Sequence, residues 1–222
     1  MTRSASATLG VIFESYGDKP AIIDEVGTLS YAEIVARSKD ISASLNKHNC
    51  LEGSIVTITL SQLREFIPTL LAILENQCIA LPLAPNTPLA ILQNSMTAIG
   101  SPWLVTSNGA NHPQMSRLPL GSNLSLNYTP AVEEPNIHNY FPDAGIIRYT
   151  SGTTGEPKGV VLSHTAIIER TEVSSRLLSI GPGDTIISPV TLSYHFIASA
   201  LSFLRAGALV VESATQSAEQ II

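Results

Sequence analysis

Charge is scarce in this chain of 222 residues. Asp, Glu, Lys and Arg make up 14% of it, apolar residues make up 44%, and the formal balance is −6. There are four lysines, Lys19, Lys39, Lys47 and Lys158, and no stretch gathers basic residues. A nucleic-acid surface needs a clustered positive field, so nucleic acid is not an expected partner. Too apolar to be disordered, the sequence is long enough to bury a substantial core.

Cysteine is nearly absent. Cys50 and Cys78 show no C-x-x-C or Cys/His spacing, so they read as reduced thiols rather than as a metal site or a disulfide framework. No secretory leader is expected, because the apolar stretch after Met1-Thr-Arg-Ser-Ala-Ser6 is short and Glu14 interrupts it. The expectation is a cytoplasmic protein, and the glycosylation-like Asn123-Leu-Ser and Asn127-Tyr-Thr carry little weight. One run, Ile186 to Leu204, has no Asp, Glu, Lys or Arg. It contains Pro189, His195 and several hydroxyl residues, and its apolar positions divide into a strand-like and a helix-like piece. A buried strand followed by a buried helix is therefore expected there, not a membrane span.

Short runs rich in Val, Ile and Leu alternate with helical stretches, which predicts an α/β fold with a doubly wound, mostly parallel sheet and flanking helices. Expected strands are Ala21 to Asp24, Ile55 to Leu60, Ile79 to Leu83, Trp103 to Thr106, Gly145 to Thr150, Gly159 to Ser163, Thr185 to Pro189 and Ala208 to Glu212. Expected helices are Tyr31 to His48, Gln62 to Asn76, Pro88 to Ile99, Thr165 to Ser179 and Tyr194 to Ala206. Glu25-Val-Gly-Thr28 reads as a hairpin turn. Asn108 to Asp143, with Pro113, Pro119, Pro130, Pro135 and Pro142, reads as a loose connection or a subdomain seam.

Chemistry concentrates in Tyr149-Thr-Ser-Gly-Thr-Thr-Gly-Glu-Pro-Lys158-Gly159, a loop between two strand-like segments. Its glycines permit sharp turns and close approach to an anion, its hydroxyls and N–H groups donate hydrogen bonds, and Lys158 adds a positive charge. Such a loop suits phosphate. It is not a Walker A loop, since G-x-x-x-x-G-K-[ST] fails at the second glycine from either Gly152 or Gly155.

The run resembles the phosphate-binding signature Y-T-S-G-[ST]-T-G-x-P-K-G-V of the adenylate-forming (AMP-binding) superfamily, which comprises acyl-CoA synthetases, adenylation domains of peptide synthetases, and luciferases. Every specified position from Tyr149 to Val160 is filled, and Val161-Leu-Ser-His164 continues the likeness. Leu29-Ser-Tyr-Ala-Glu-Ile34 resembles the early L-[TS]-Y-x-E-L element, where packing by Leu29 and Tyr31 and capping by Ser30 would explain the pattern equally well. Leu74-Glu-Asn-Gln-Cys-Ile-Ala-Leu-Pro-Leu83 resembles L-x-A-G-x-x-x-V-P-[IL], with Asn76 and Gln77 in place of the usual small pair. Pro189-Val-Thr-Leu-Ser-Tyr-His-Phe196 resembles P-L-[FY]-H-x-x-G, with an insertion and with Ala198 at the glycine.

The resemblance implies ATP with Mg2+, a carboxylic acid substrate, and CoA or a carrier-protein thiol as acceptor. It places Thr150, Ser151, Gly152, Thr153, Thr154, Gly155 and Lys158 at the ATP phosphates. It makes Tyr194 and His195 candidates for the substrate pocket, although His195 also reads as a buried core histidine. The aspartate by which amino-acid-activating relatives hold an ammonium is missing from that segment, which tilts the expected acid toward a fatty, aryl or other simple carboxylic acid. The family's aromatic-Gly-x-Thr-Glu segment, its ribose-binding aspartate and its catalytic lysine do not occur, so residues 1–222 are expected to be an incomplete N-terminal part of the adenylate-forming fold, with a candidate seam at 108–143. No catalytic residue and no metal ligand is assigned. Two readings stay open: the N-terminal portion of a ligase, inactive in isolation, or a short non-catalytic relative that binds phosphate or a partner. In the second reading an apolar groove is left uncovered, which would favour self-association or a partner chain.

Overall fold

A computed structural model describes residues 5–108, 115–121, 123–135, 141–150, 158–188 and 199–212, with the backbone alone at 149, 150 and 158. In chain order the elements are α1 (Ala5–Tyr16), β1 (Pro20–Asp24), β2 (Gly27–Ser30), α2 (Tyr31–Lys47), β3 (Ile55–Ile58), α3 (Leu63–Glu75), β4 (Ile79–Pro82), α4 (Leu89–Ile99) and β5 (Trp103–Ser107). They continue with β6 (Ser116–Leu120), β7 (Leu124–Tyr128), β8 (Ala144–Thr150), β9 (Lys158–Ser163), α5 (His164–Leu177), β10 (Thr185–Ser188), α6 (Ala200–Arg205) and β11 (Leu209–Glu212).

The strands form two sheets, a seven-stranded one in the order β6-β7-β5-β3-β4-β8-β9 and a four-stranded one in the order β10-β11-β1-β2. Their centres are parallel: β5, β3, β4 and β8 in the large sheet, and β10, β11 and β1 in the small one. Antiparallel pairing is confined to the flanks, at β1-β2, β5-β7, β6-β7 and β8-β9. This is the expected mostly parallel, doubly wound α/β arrangement. The turn after β1 is a hairpin, closed by Asp24, whose Oδ1 accepts from the N–H of Val26 (2.9 Å) and of Gly27 (3.2 Å).

Alternation along the strands shows both faces of the large sheet to be covered. Val56, Ile58, Ala80, Val105 and Ile146 point into a core shared with Ile22, Leu29 and Val210 of the small sheet and with buried residues of α1, α2, α3, α5 and α6. These helices therefore form a layer between the sheets. Their neighbours Ile55, Ile79, Leu81 and Ile147 point the other way, where Ile99 of α4 meets them. Met96 and Leu92 of α4 cover Leu104 on that same face. The central position of α3 explains its sequence: eleven residues from Leu63 to Leu74 are buried, including Pro68 in its interior.

Helix ends follow local rules. At α2, Ser30 and Glu33 make a capping box: Ser30 Oγ accepts from the Glu33 N–H (3.2 Å), and the Ser30 N–H donates to Glu33 Oε2 (2.7 Å). Tyr31 is fully buried, and its hydroxyl lies 2.9 Å from the carbonyl of Leu204 and 2.8 Å from that of Ala208. The Leu-Ser-Tyr-x-Glu element is thus a packed and capped helix start that ties α2 to the end of α6. Helices α2 to α6 all stop in the same way. A residue with left-handed φ follows each helix, namely Asn49 (59°), Gln77 (55°), Gly100 (75°), Ser179 (54°) and Gly207 (83°). The next N–H then reaches back five residues: Cys50 to Leu45 (3.1 Å), Cys78 to Ile73 (3.0 Å), Ser101 to Met96 (2.8 Å), Ile180 to Ser175 (3.1 Å) and Ala208 to Phe203 (3.2 Å). This is the Schellman closure, which satisfies carbonyls that the helix leaves over.

The stretch 108–143 contains β6 and β7, an antiparallel pair that extends the large sheet beyond β5. No helix among the described residues is long and apolar enough to cross a membrane. In the run 186–204, the described parts are the end of β10, an edge strand that is half-exposed rather than buried as expected, and α6 up to Leu204, whose Ala200, Leu201 and Leu204 are buried.

Candidate nucleotide site

β8 and β9 form one hairpin whose register runs from Ala144 opposite Ser163 to Thr150 opposite Lys158. The first and last residues assigned to phosphate, 150 and 158, are therefore brought together as facing partners that close the glycine-rich connection. Ser151, Gly152, Thr153, Thr154 and Gly155 lie in 151–157, outside the described residues. β8 runs parallel to β4, so the connection leaves the large sheet at the carboxyl edge of β3, β4, β5 and β8. That edge is where open α/β sheets bind their ligands.

Two glycines let helices approach this hairpin. A Cβ on Gly159 would stand 3.1 Å from Ile147 Cγ2 and 3.5 Å from Ile99 Cδ1, so the missing side chain lets α4 close over the strand next to Lys158. A Cβ on Gly145 would meet Ile167 Cδ1 at 3.1 Å and Leu74 Cδ2 at 3.2 Å, which seats α5 and α3 at the other end. The base of the hairpin doubles as a helix cap. The His164 N–H donates to the Asp143 carbonyl (2.8 Å), and Asp143 Oδ2 accepts from the Thr165 N–H (3.3 Å) and hydroxyl (2.9 Å). Ser163 Oγ accepts from the Ala166 N–H (3.0 Å). A carboxylate and a hydroxyl thus meet the free N–H groups at the start of α5, where both are favoured. Buried His164 also accepts from the N–H of Ala5 at Nδ1 (3.1 Å), fastening the start of α1 to the same base.

Tyr194 and His195 fall in 189–198, outside the described residues; β10 leads into that segment and α6 follows it. At the carboxyl edge of the small sheet lies a charged cluster that no motif along the chain marks. Arg64 Nε pairs with Asp24 Oδ2, both side chains nearly buried, and Arg64 Nη2 donates to the Gly27 carbonyl (2.7 Å). Beside them the Leu63 N–H, at the start of α3, donates to Glu212 Oε1 (3.2 Å) and Oε2 (3.0 Å). Burial pushes the Glu212 carboxyl up to about 7, with Asp24 and Glu25 adding to the rise and the Leu63 N–H and Arg64 opposing it. The residues come from β1, α3 and β11, and no pattern local to one segment could have joined them. Among the described residues, no group of three or more His, Cys, Asp or Glu is placed to hold a metal ion.

The sequence profile of a family described as AMP-binding enzyme matches residues 12–220. Zwittermicin A synthase ZmaJ of Bacillus cereus is 28% identical over 179 residues, which are 80% of this chain and 34% of that protein. Among solved structures, ATP-bound MatB from Rhodopseudomonas palustris superposes with a TM-score of 0.73 at 21% identity, over 99% of this chain and 47% of that one. The inhibitor-bound N-terminal domain of FACL13 from Mycobacterium tuberculosis gives 0.77 at 16% identity, over 99% of this chain and 59% of that one. The chain therefore spans a third of ZmaJ and about half of these structures. Its glycine-rich signature from Tyr149 to Val160 and the profile match over nearly its whole length make this chain a member of the AMP-binding enzyme family.

Proposed function

We propose that this chain is the N-terminal portion of an ATP-dependent ligase that activates a carboxylic acid as its acyl-adenylate and passes the acyl group to a thiol, of CoA or of a carrier protein. The observation that carries the reading is the opposition of Thr150 and Lys158 across the β8–β9 hairpin, at the carboxyl edge of a parallel sheet. That register closes the connection into a bounded loop, and the glycine at 159 leaves no side chain between the strand and α4. The fit to a triphosphate rests on the chemistry of the loop: hydroxyls of Thr150, Ser151, Thr153 and Thr154, backbone N–H groups near Gly152 and Gly155, and the ammonium of Lys158.

In this reading those donors hold the β- and γ-phosphates and stabilise charge on the departing pyrophosphate while the substrate carboxylate attacks the α-phosphorus. Mg2+, when bound, shares in neutralising the phosphate oxygens. Tyr194 and His195 are the residues assigned to the acyl pocket in this reading, and the lack of an aspartate among residues 189–198 favours an acid without an ammonium group. Because the chain spans 34% of ZmaJ and 47% of MatB, the complete activity is assigned to a larger assembly containing these residues. The 222 residues alone bind MgATP weakly and do not adenylate.

The test is ATP–pyrophosphate exchange with a panel of aliphatic, aryl and amino acids. Exchange by the 222 residues that depends on both an acid and Lys158 would replace the fragment reading with that of a self-sufficient enzyme. Failure to bind MgATP at all would overturn the ligase reading.

A further inference from the structure

Cys50 and Cys78 occupy equivalent places. Each is the residue after the left-handed one in a Schellman cap, Cys50 closing α2 and Cys78 closing α3. That position ordinarily packs an apolar side chain back on its helix. Here the two helices lie side by side, so the two cap residues pack on each other: both are fully buried, with their Sγ atoms 3.9 Å apart. The Cys78 thiol also approaches the Leu51 carbonyl (3.1 Å). Ser42, Asn46 and Asn76 knit the same helix ends together, with Ser42 Oγ donating to Asn76 Oδ1 (2.7 Å), Asn46 Nδ2 donating to Asn76 Oδ1 (3.0 Å) and Asn76 Nδ2 donating to the Ser42 carbonyl (3.0 Å). The thiols are thus held opposite one another by a framework that does not depend on them.

We infer that Cys50 and Cys78 are a preorganised dithiol, a site of two-electron oxidation to a disulfide that staples the C-terminal ends of α2 and α3. An S–S bond is about 2.05 Å long, so each sulfur need move only about 1 Å, within the reach of a χ1 adjustment. With glutathione disulfide as oxidant the step balances. The thiolate of one cysteine attacks a glutathione sulfur and expels one glutathione thiolate, which takes up the proton that the cysteine lost. The second cysteine, losing its own proton, attacks the protein sulfur of the mixed disulfide and expels the second glutathione. The protein pair is oxidised and the glutathione disulfide is reduced to two thiols.

Both thiols are fully buried, so glutathione disulfide reaches them only when the turn after Cys50 opens, where Leu51 is 59% exposed. The hydrogen bond to Cys78 and burial both push the Cys50 thiol up, so thiolate is scarce and the reaction slow. Equilibrium rather than rate therefore reports the geometry. The pair precedes β3 and β4, at the amino edge of the large sheet, whereas the glycine loop leaves β8 at the carboxyl edge. The inference is consequently independent of the nucleotide reading.

The experiment equilibrates the 222-residue chain in glutathione redox buffers under nitrogen, quenches with iodoacetamide and quantifies linked and alkylated peptides by mass spectrometry. The ratio gives the effective concentration of one thiol at the other, folded and again in concentrated urea. The expected result is a value at least about tenfold higher in the folded chain. By linkage the oxidised form then unfolds at higher temperature than the reduced form, reversibly with dithiothreitol, and Cys78→Ala abolishes the shift. A folded-state value equal to or below the unfolded one, or an oxidised form that melts lower, overturns the inference.

Discussion

The N–H of Ala5 donates to Nδ1 of His164 across 3.1 Å, joining the start of α1 to the base of the β8–β9 hairpin although 159 positions separate the two residues. A helix leaves its first N–H groups without partners, and burying one unpaired costs about 1–3 kcal/mol. His164→Leu should lower stability by about that amount in urea titrations. His164→Asn, whose Oδ1 can take the place of Nδ1, should recover part of the loss. The ring's other contacts go in both variants, so the difference between them isolates the acceptor; equal losses would show that the bond contributes nothing.

Gly207 has φ +83°, and a Cβ there would meet the Tyr16 ring at 2.7 Å. Gly17 has φ +58° with nothing within 4 Å. Alanine at either position must adopt a left-handed backbone, at about 1–2 kcal/mol, but only at 207 must it also displace a tyrosine whose hydroxyl donates to the Arg205 carbonyl (3.1 Å). Gly207→Ala should therefore cost clearly more than Gly17→Ala by denaturant melts, and Tyr16→Ala should narrow the gap.

Glu212 titrates at about 7 when folded, against its ordinary 4.5, because burial disfavours its anion. The folded state then binds the proton more tightly than the unfolded one. Its stabilising effect is complete below about pH 4.5 and is lost as pH rises toward 7. Relative to Glu212→Gln, the wild-type chain should lose urea resistance between pH 5 and pH 8. A difference that stays constant, or grows, over that interval would contradict the assigned environment.

Much of this was legible because local and tertiary demands agree. The buried β3 and β4 are short apolar runs, and the capping box of α2 is written in Ser30 and Glu33. α1 has no such signal, since its buried residues are Ala5, Ser6, Leu9 and Phe13, with Ile12 and Tyr16 packed at the core's edge, and its sequence serves equally as a mildly apolar terminus. β6 and β7 were concealed by Pro119 and Asn127. Pro119 is tolerated because β6 is an edge strand, and buried Asn127 is satisfied by the Leu104 carbonyl and Thr106 Oγ1, each at 3.2 Å. The Asp24, Arg64 and Glu212 cluster joins three elements and has no signature along the chain.

Arg64 and Asp24 test the cluster directly. Removing one partner of a buried pair strands the other charge, typically at about 3–5 kcal/mol. Arg64→Met should fall in that range by urea titration, and adding Asp24→Asn should restore a measurable part. An Arg64→Met loss below about 1 kcal/mol would mean the pair is hydrated.

Phosphorus NMR of ATP with Mg2+, titrated with the 222-residue chain and with its Lys158→Ala variant, tests the central assignment most directly. It detects weak binding and resolves the three phosphates. The nucleotide assignment predicts broadening and shift of the β and γ resonances in the presence of the wild-type chain and their loss with Lys158→Ala. Spectra that do not respond to the wild-type chain, or respond equally to both, would contradict it.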